Sequence, residues 1–198
     1  MKKQLCSLLT ALALAVGLLP SAARAAENAP SFADVPAAAW YADAVQYVYE
    51  NGLMTGVSES EFAPDGTATR GQIVTILWRL AGSPVVNYAM RYADADEGAW
   101  YGEAVRWAAS TGVVTGYTES SFGPNDAITR EQLAAILYRY VKTQGQGFTG
   151  MWYFPLRYDD AASISDWADE AMHWCVMKGV LNGTGETTLS PQLTATRA

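Results

Sequence analysis

Two kinds of apolar stripe alternate along the chain beyond its N-terminal stretch, and each predicts a helix. The first kind is short. Ala44, Val45 and Val48, repeated as Ala104, Val105 and Ala108, fall on one helical face, start near Trp40 or Trp100 and stop at Asn51-Gly52 or Thr111-Gly112. Glycine there supplies the left-handed residue that ends a helix. A third such segment starts near Trp167 and stops at Lys178-Gly179. The second kind is longer: Ile73, Ile76, Leu77 and Leu80, then Leu133, Ile136, Leu137 and Val141, form the buried stripes of helices opening at Thr69 and Thr129. Each Thr is followed three residues later by Gln72 or Gln132, a capping box that satisfies the free amides of a first turn. Between the helices, a loop runs through Gly56, Gly116 or Gly183 into Phe62-x-Pro64, Phe122-x-Pro124 or Leu189-x-Pro191. The proline is expected to hold its predecessor extended.

These elements repeat as a set. Copy one reads Phe32-x-Asp34, Trp40, Gly52, Gly56, Phe62-x-Pro64, Thr69-Arg70; copy two, 60 residues on throughout, reads Tyr92-x-Asp94, Trp100, Gly112, Gly116, Phe122-x-Pro124, Thr129-Arg130. Copy three reads Tyr158-x-Asp160, Trp167, Gly179, Gly183, Leu189-x-Pro191, Thr196-Arg197, and Trp and Arg stand 30 apart in all three. The prediction is an all-α protein of three helix-loop-helix repeats at 26–88, 89–142 and 157–198, with a Gly-rich linker at 143–156. In the third repeat Thr196-Arg197-Ala198 stands where a second helix is due, so that helix is expected to be missing. The aromatic group Met151-Trp152-Tyr153-Phe154 is expected to pack on the body.

The N-terminus changes the picture of location. Met1-Lys2-Lys3, an apolar run through Leu19 and the small residues Ser21 to Ala25 read as a secretory signal peptide at 1–25, cleaved after Ala25 by the Ala23-x-Ala25 spacing. The run is short for a membrane span. Of 13 Lys and Arg, only Lys2, Lys3 and Arg24 fall in that segment, against none of the 20 Asp and Glu, so the remainder carries a net charge near −10. Nucleic acid is thereby excluded as a partner, since no basic stripe exists to neutralise phosphates. One His and two Cys, Cys6 and Cys175, cannot build a Cys/His zinc cluster or several disulfides. No metal, cofactor or catalytic residue is expected. His173 reads as an ordinary helical residue and Cys175 as a small buried apolar one.

The order Phe-x-Asp, Trp, Gly, x-Gly, Phe-x-Pro, Thr-Arg, closing on an apolar helix and occurring three times, resembles the S-layer homology motif. The resemblance implies a pseudo-threefold arrangement of the three motifs, with second helices forming a central bundle and first helices and loops forming outer prongs. It also implies a function: holding secreted proteins non-covalently on the cell wall through secondary wall polysaccharides, often bearing pyruvate ketals, in grooves between prongs. Two departures stand out: the usual Thr-Arg-Ala-Glu is Thr69-Arg70-Gly71-Gln72 and Thr129-Arg130-Glu131-Gln132 here, and the third copy carries only Thr196-Arg197-Ala198.

Candidate ligand residues follow. Arg70, Arg130 and Arg197 each succeed a Thr at a helix start, where free amides and a guanidinium suit a carboxylate; the alternative is pairing with Asp34, Asp94 or Asp160. Trp40, Trp100 and Trp167 either offer a face to sugar rings or seal the repeat core. Gly56 and Gly116 need a positive φ or a close backbone approach, or are simple turn residues. Tyr117 is a weaker candidate. The expected function is a non-catalytic anchor for cell-wall polysaccharide or a peptidoglycan-linked glycan, with no membrane contact after signal cleavage. The alternatives are a surface-layer assembly protein contacting other subunits, or a wall-glycan hydrolase, which needs two facing carboxylates. The missing helix leaves a wet apolar face, so the chain is expected either to be marginally stable or to self-associate through that face, and Arg130→Ala is expected to weaken wall retention while hardly moving stability.

Overall fold

The computed structural model describes residues 32–198, and the predicted signal segment lies outside them. Within that range stand five α-helices: α1 Ala42–Glu50, α2 Arg70–Leu80, α3 Gly102–Thr111, α4 Arg130–Thr143 and α5 Asp169–Met177. Two 3₁₀ turns, Ala161–Ser163 and Asp166–Ala168, lead into α5. The described residues form no sheet; extended pairing is limited to the single bridges Thr67 to Thr196, Thr69 to Ala127 and Thr129 to Thr194. The fold is all-α.

Local chemistry sets the helix ends. At α2 the Thr69 side chain accepts from the Gln72 amide at 3.3 Å and the Gln72 side chain accepts from the Thr69 amide at 3.1 Å; Thr129 and Gln132 do the same for α4. These are the predicted capping boxes. Gly52, Gly112 and Gly179 take φ of 65°, 72° and 67°, the left-handed stops of α1, α3 and α5. Trp40 and Trp100 lie in the turn before the helix rather than in it, the N-caps being Tyr41 and Tyr101.

One expectation is corrected. The residue before the repeat proline is not extended: Ala63, Gly123 and Ser190 have φ of 57°, 70° and 54°. The cause is a carboxylate. Asp34 accepts from the successive amides of Phe62 (2.9 Å) and Ala63 (2.6 Å). Asp94 accepts likewise from Phe122 and Gly123, and Asp160 from Leu189 and Ser190. An extended chain points successive amides to opposite sides, so converging both on one carboxylate demands the left-handed turn.

The repeats join head to tail through their backbones. Ile128 donates to the Ala68 carbonyl (3.0 Å), Ala195 to Ile128 (2.8 Å) and Ala68 to Ala195 (2.9 Å), a closed ring of three hydrogen bonds with one residue from each repeat. The third repeat therefore completes the ring without a second helix; Ala198 donates to Pro64 as Gly71 does to Pro124 and Glu131 to Pro191.

Helix packing is less even. α2 packs on α3 and α4 on α5, so each second helix covers the first helix of the next repeat. Among the described residues no helix stands in that relation to α1. The core divides accordingly: a large cluster around Val74, Val105, Ile128, Leu137 and Met172, and a smaller one of Phe32, Val45, Val48 and Phe62, bridged by half-buried Ile76 and Leu80. Instead of a closed bundle, Ile73 and Leu77 of α2, Leu133 and Leu137 of α4, and Ala44 and Val45 of α1 line a cleft of about 610 Å³. The linker aromatics pack only by half. Trp152 stacks on Phe148 (4.3 Å, 8°) and leans on His173, while Met151 and Tyr153 are exposed.

Candidate functional site

The three arginines lie at the joints between repeats, each inserted into the loop of the next. Arg70 donates through Nε to the Phe122 carbonyl (3.0 Å) and through Nη2 to Thr115 (3.1 Å). Arg130 donates to the carbonyls of Leu189 (3.0 Å) and Asn182. Arg197 donates to Phe62 (2.8 Å) and Thr55 (2.8 Å), returning the series to the first repeat. The contacts are equivalent in kind, and main-chain carbonyls take the place that the alternative reading gave to Asp34, Asp94 and Asp160. Burial presses all three guanidinium pKa values below their ordinary level, yet an arginine stays charged throughout the accessible pH range.

Their surroundings differ. Arg70 is 5% exposed, its guanidinium carbon 4.2 Å from the Tyr117 ring centroid and 5.0 Å from that of Phe122. Arg130 and Arg197 are half-buried and both line the 610 Å³ cleft. Trp40 lines it too, with 73% of its surface exposed. Trp100 and Trp167 are also exposed but stand elsewhere; Trp167 borders a shallower hollow with Arg139 and Lys142 of α4. None of the three tryptophans seals a core. Each of the first two instead braces edge-on against the tyrosine that follows it, Tyr41 or Tyr101.

Gly56 and Gly116 owe their place to close approach, not to positive φ. A Cβ on Gly56 would meet the Ser58 carbonyl at 2.4 Å and the Phe32 ring at 2.6 Å; on Gly116 it would meet the Ser121 carbonyl at 2.4 Å and the Tyr92 ring at 2.5 Å. They let the loop fold over the ring of the Phe-x-Asp or Tyr-x-Asp motif.

The role of the aspartates was missed from sequence. Their carboxylates hold the loops that receive the arginines, and their pKa values lie below the ordinary 3.8. For Asp34 and Asp160 the amides of Phe62 and Leu189 are the main cause; at Asp94 burial works upward and the amides of Phe122 and Gly123 outweigh it. The recurring separation of Asp from Phe-x-Pro, 28 residues in two copies and 29 in the third, was the signal. The receiving carbonyls of Thr55, Thr115 and Asn182 each precede the repeat's loop glycine, a position that side-chain chemistry does not mark.

Residues 31–74, 91–134 and 157–198 each match the S-layer homology domain, together well over half of the chain. The chain belongs to the S-layer homology family. Its relatives include an endoglucanase of Bacillus sp. (strain KSM-635), 30% identical over 98% of this chain and 21% of the relative. The S-layer protein sap of Bacillus anthracis is 28% identical over the whole chain and 23% of the relative. An amylopullulanase of Thermoanaerobacterium thermosulfurigenes is 28% identical over 80% of the chain and 8% of the relative. The chain thus spans less than a quarter of the length of these relatives. An S-layer homology module of this kind is a cell-surface anchoring or surface-layer unit, and the protein is one of the cell surface. Among the described residues no helix is long and apolar enough to cross a membrane.

Proposed function

We propose that this S-layer homology module is a non-catalytic anchor that binds cell-wall polysaccharide or a peptidoglycan-linked glycan non-covalently, with an acidic sugar such as a pyruvate ketal as the recognised group. The observation that carries this reading is the convergence of Trp40, Arg130 and Arg197 on one cleft. A tryptophan face accepts the apolar face of a sugar ring, and a guanidinium beside it takes a carboxylate. Trp100 and Trp167 present further exposed rings for a polymer that runs past the cleft. Arg70, Gly56 and Gly116 serve the site indirectly, by joining repeats and shaping loops. With a net charge near −10 beyond residue 25, the molecule's overall field repels an anionic polymer, so the attraction is short-ranged. Support also comes from the relatives: a surface-layer protein, an endoglucanase and an amylopullulanase share this module over small parts of their length. What unlike proteins share is better read as a common attachment than as a common reaction.

Co-sedimentation with purified wall sacculi tests the reading. Trp40→Ala removes an exposed ring and leaves the core intact, so retention falls while the melting temperature stays put. Unchanged retention in Trp40→Ala, Trp100→Ala and Trp167→Ala alike would refute it. A second reading, association of two copies, is favoured by the apolar side chains of Trp40 and Leu193, 73% and 54% exposed in the same cleft; sedimentation equilibrium distinguishes a monomer from a dimer.

A further inference from the structure

The three joints are built alike but are not equally open. The residue after the loop glycine is Val57 in the first repeat, Tyr117 in the second and Thr184 in the third; the residue before the repeat proline is Ala63, Gly123 and Ser190. Only the second repeat combines a tyrosine with a glycine. The two are coupled sterically: a Cβ on Gly123 would stand 2.4 Å from Cε2 of Tyr117, so the ring sits closer to the backbone than any side chain at 123 would allow. From that seat it covers Arg70 at 4.2 Å. The ring shields the guanidinium while remaining partly open itself, Tyr117 being 49% exposed and Arg70 only 5%. At the other joints Val57 and Thr184 cannot reach as far, Ala63 and Ser190 occupy the seat, and Arg197 and Arg130 remain half-buried. Asp126, beside Tyr117 and Gly123, adds a negative charge where the other repeats carry Gly66 and Leu193.

We propose that Tyr117 is a specificity-determining lid, seated on Gly123, which closes the Arg70 joint to acidic sugars and confines their recognition to the joints of Arg130 and Arg197. The inference rests on the anchoring function proposed above. It makes the repeat array unequal by design: one joint is a fixed hinge pin, and two are receptors.

Arginine modification by phenylglyoxal, mapped by mass spectrometry on the folded full chain, reads the lid without any glycan. In the parent, Arg130 and Arg197 react and Arg70 is protected. Tyr117→Val, which installs the first repeat's residue, exposes Arg70 severalfold, whereas Tyr117→Phe keeps it shut. The reciprocal double variant Val57→Tyr with Ala63→Gly protects Arg197. Calorimetry with a monosaccharide bearing a pyruvate ketal then reads specificity: the parent binds two equivalents and Tyr117→Val binds three. Equal reactivity of the three arginines in the parent, or an Arg70 that stays protected in Tyr117→Val with circular dichroism unchanged, overturns the lid. Three equivalents bound by the parent also overturn it. If Arg70 opens as expected but no variant binds the sugar, the anchoring reading falls and the specificity role falls with it.

Discussion

Removing the Arg70 side chain tests whether the joints between repeats are held as the structure describes. Two hydrogen bonds from a charged donor end on the carbonyls of Phe122 and Thr115; such bonds contribute about 1.5–3 kcal/mol each. Part of this is offset, since burying the guanidinium has its own desolvation cost, visible as a lowered pKa. The stacking of Arg70 on Tyr117 and Phe122 adds up to about 1 kcal/mol. Arg70→Ala should therefore destabilise by about 2–4 kcal/mol, most of it from carbonyls left in a joint that water enters poorly. For a chain of this size that is a fall of roughly 5–15 °C in melting temperature. Arg130→Ala and Arg197→Ala, at half-buried joints where water replaces the lost donors, should lose about 1–2 kcal/mol. The expectation from sequence that Arg130→Ala hardly moves stability is thus reversed by the two carbonyls it serves. Urea unfolding followed by tryptophan fluorescence gives the values, with the denaturant slope checking that the unfolded state is unchanged. Arg70→Lys keeps the charge but not the fork, and should recover less than half of the loss. An Arg70→Ala variant within 0.5 kcal/mol of the parent, or one less affected than Arg197→Ala, would refute the assignment of Arg70 to holding the repeats together.

Four further outcomes follow from the same geometry. Ala63→Gly and Ser190→Gly relieve left-handed backbone at φ of 57° and 54° and should raise stability by up to about 1 kcal/mol each. Gly123→Ala, whose Cβ would sit 2.4 Å from Tyr117 and Asp126, should lower it by more than about 2 kcal/mol in the same urea assay. The aspartates have folded pKa values below 3.8, so the stability they contribute is complete above that value and lost as pH falls through the folded pKa. Melting temperature should accordingly be level from about pH 7 to 5 and drop below about pH 4, with Asp94→Asn flattening the drop. Appending the sequence of Gln132–Val141 after Ala198 supplies α1 with the kind of cover that α3 and α5 already have; calorimetry should show a clearly higher melting temperature, and any self-association of the parent should disappear.

What depends on near neighbours along the chain was legible in the residues alone. Capping boxes at Thr69 and Thr129, the glycine stops at Gly52, Gly112 and Gly179, and the apolar stripes of α2 and α4 are all short-range patterns, and three copies of them fixed the repeat length and the all-α class. The same patterns carried the family resemblance. Tertiary structure decided every question of which repeat touches which. That Arg70 enters the second repeat, Arg130 the third and Arg197 the first is invisible in sequence because the acceptors are main-chain carbonyls, which every residue owns. The left-handed residue before each proline arises from an aspartate 28 or more residues upstream, beyond the reach of any local rule. Exposure was equally undetermined: Trp40, Trp100 and Trp167 sit at positions where an aromatic ring is as able to seal a core as to face water, and only the packing of the turn before each first helix turns them outward. Finally, the residues alone set Arg70 level with Arg130 and Arg197 below both, whereas the fold sets Arg70 apart, because the burial of a side chain is a property of what other segments place over it, here the ring of Tyr117.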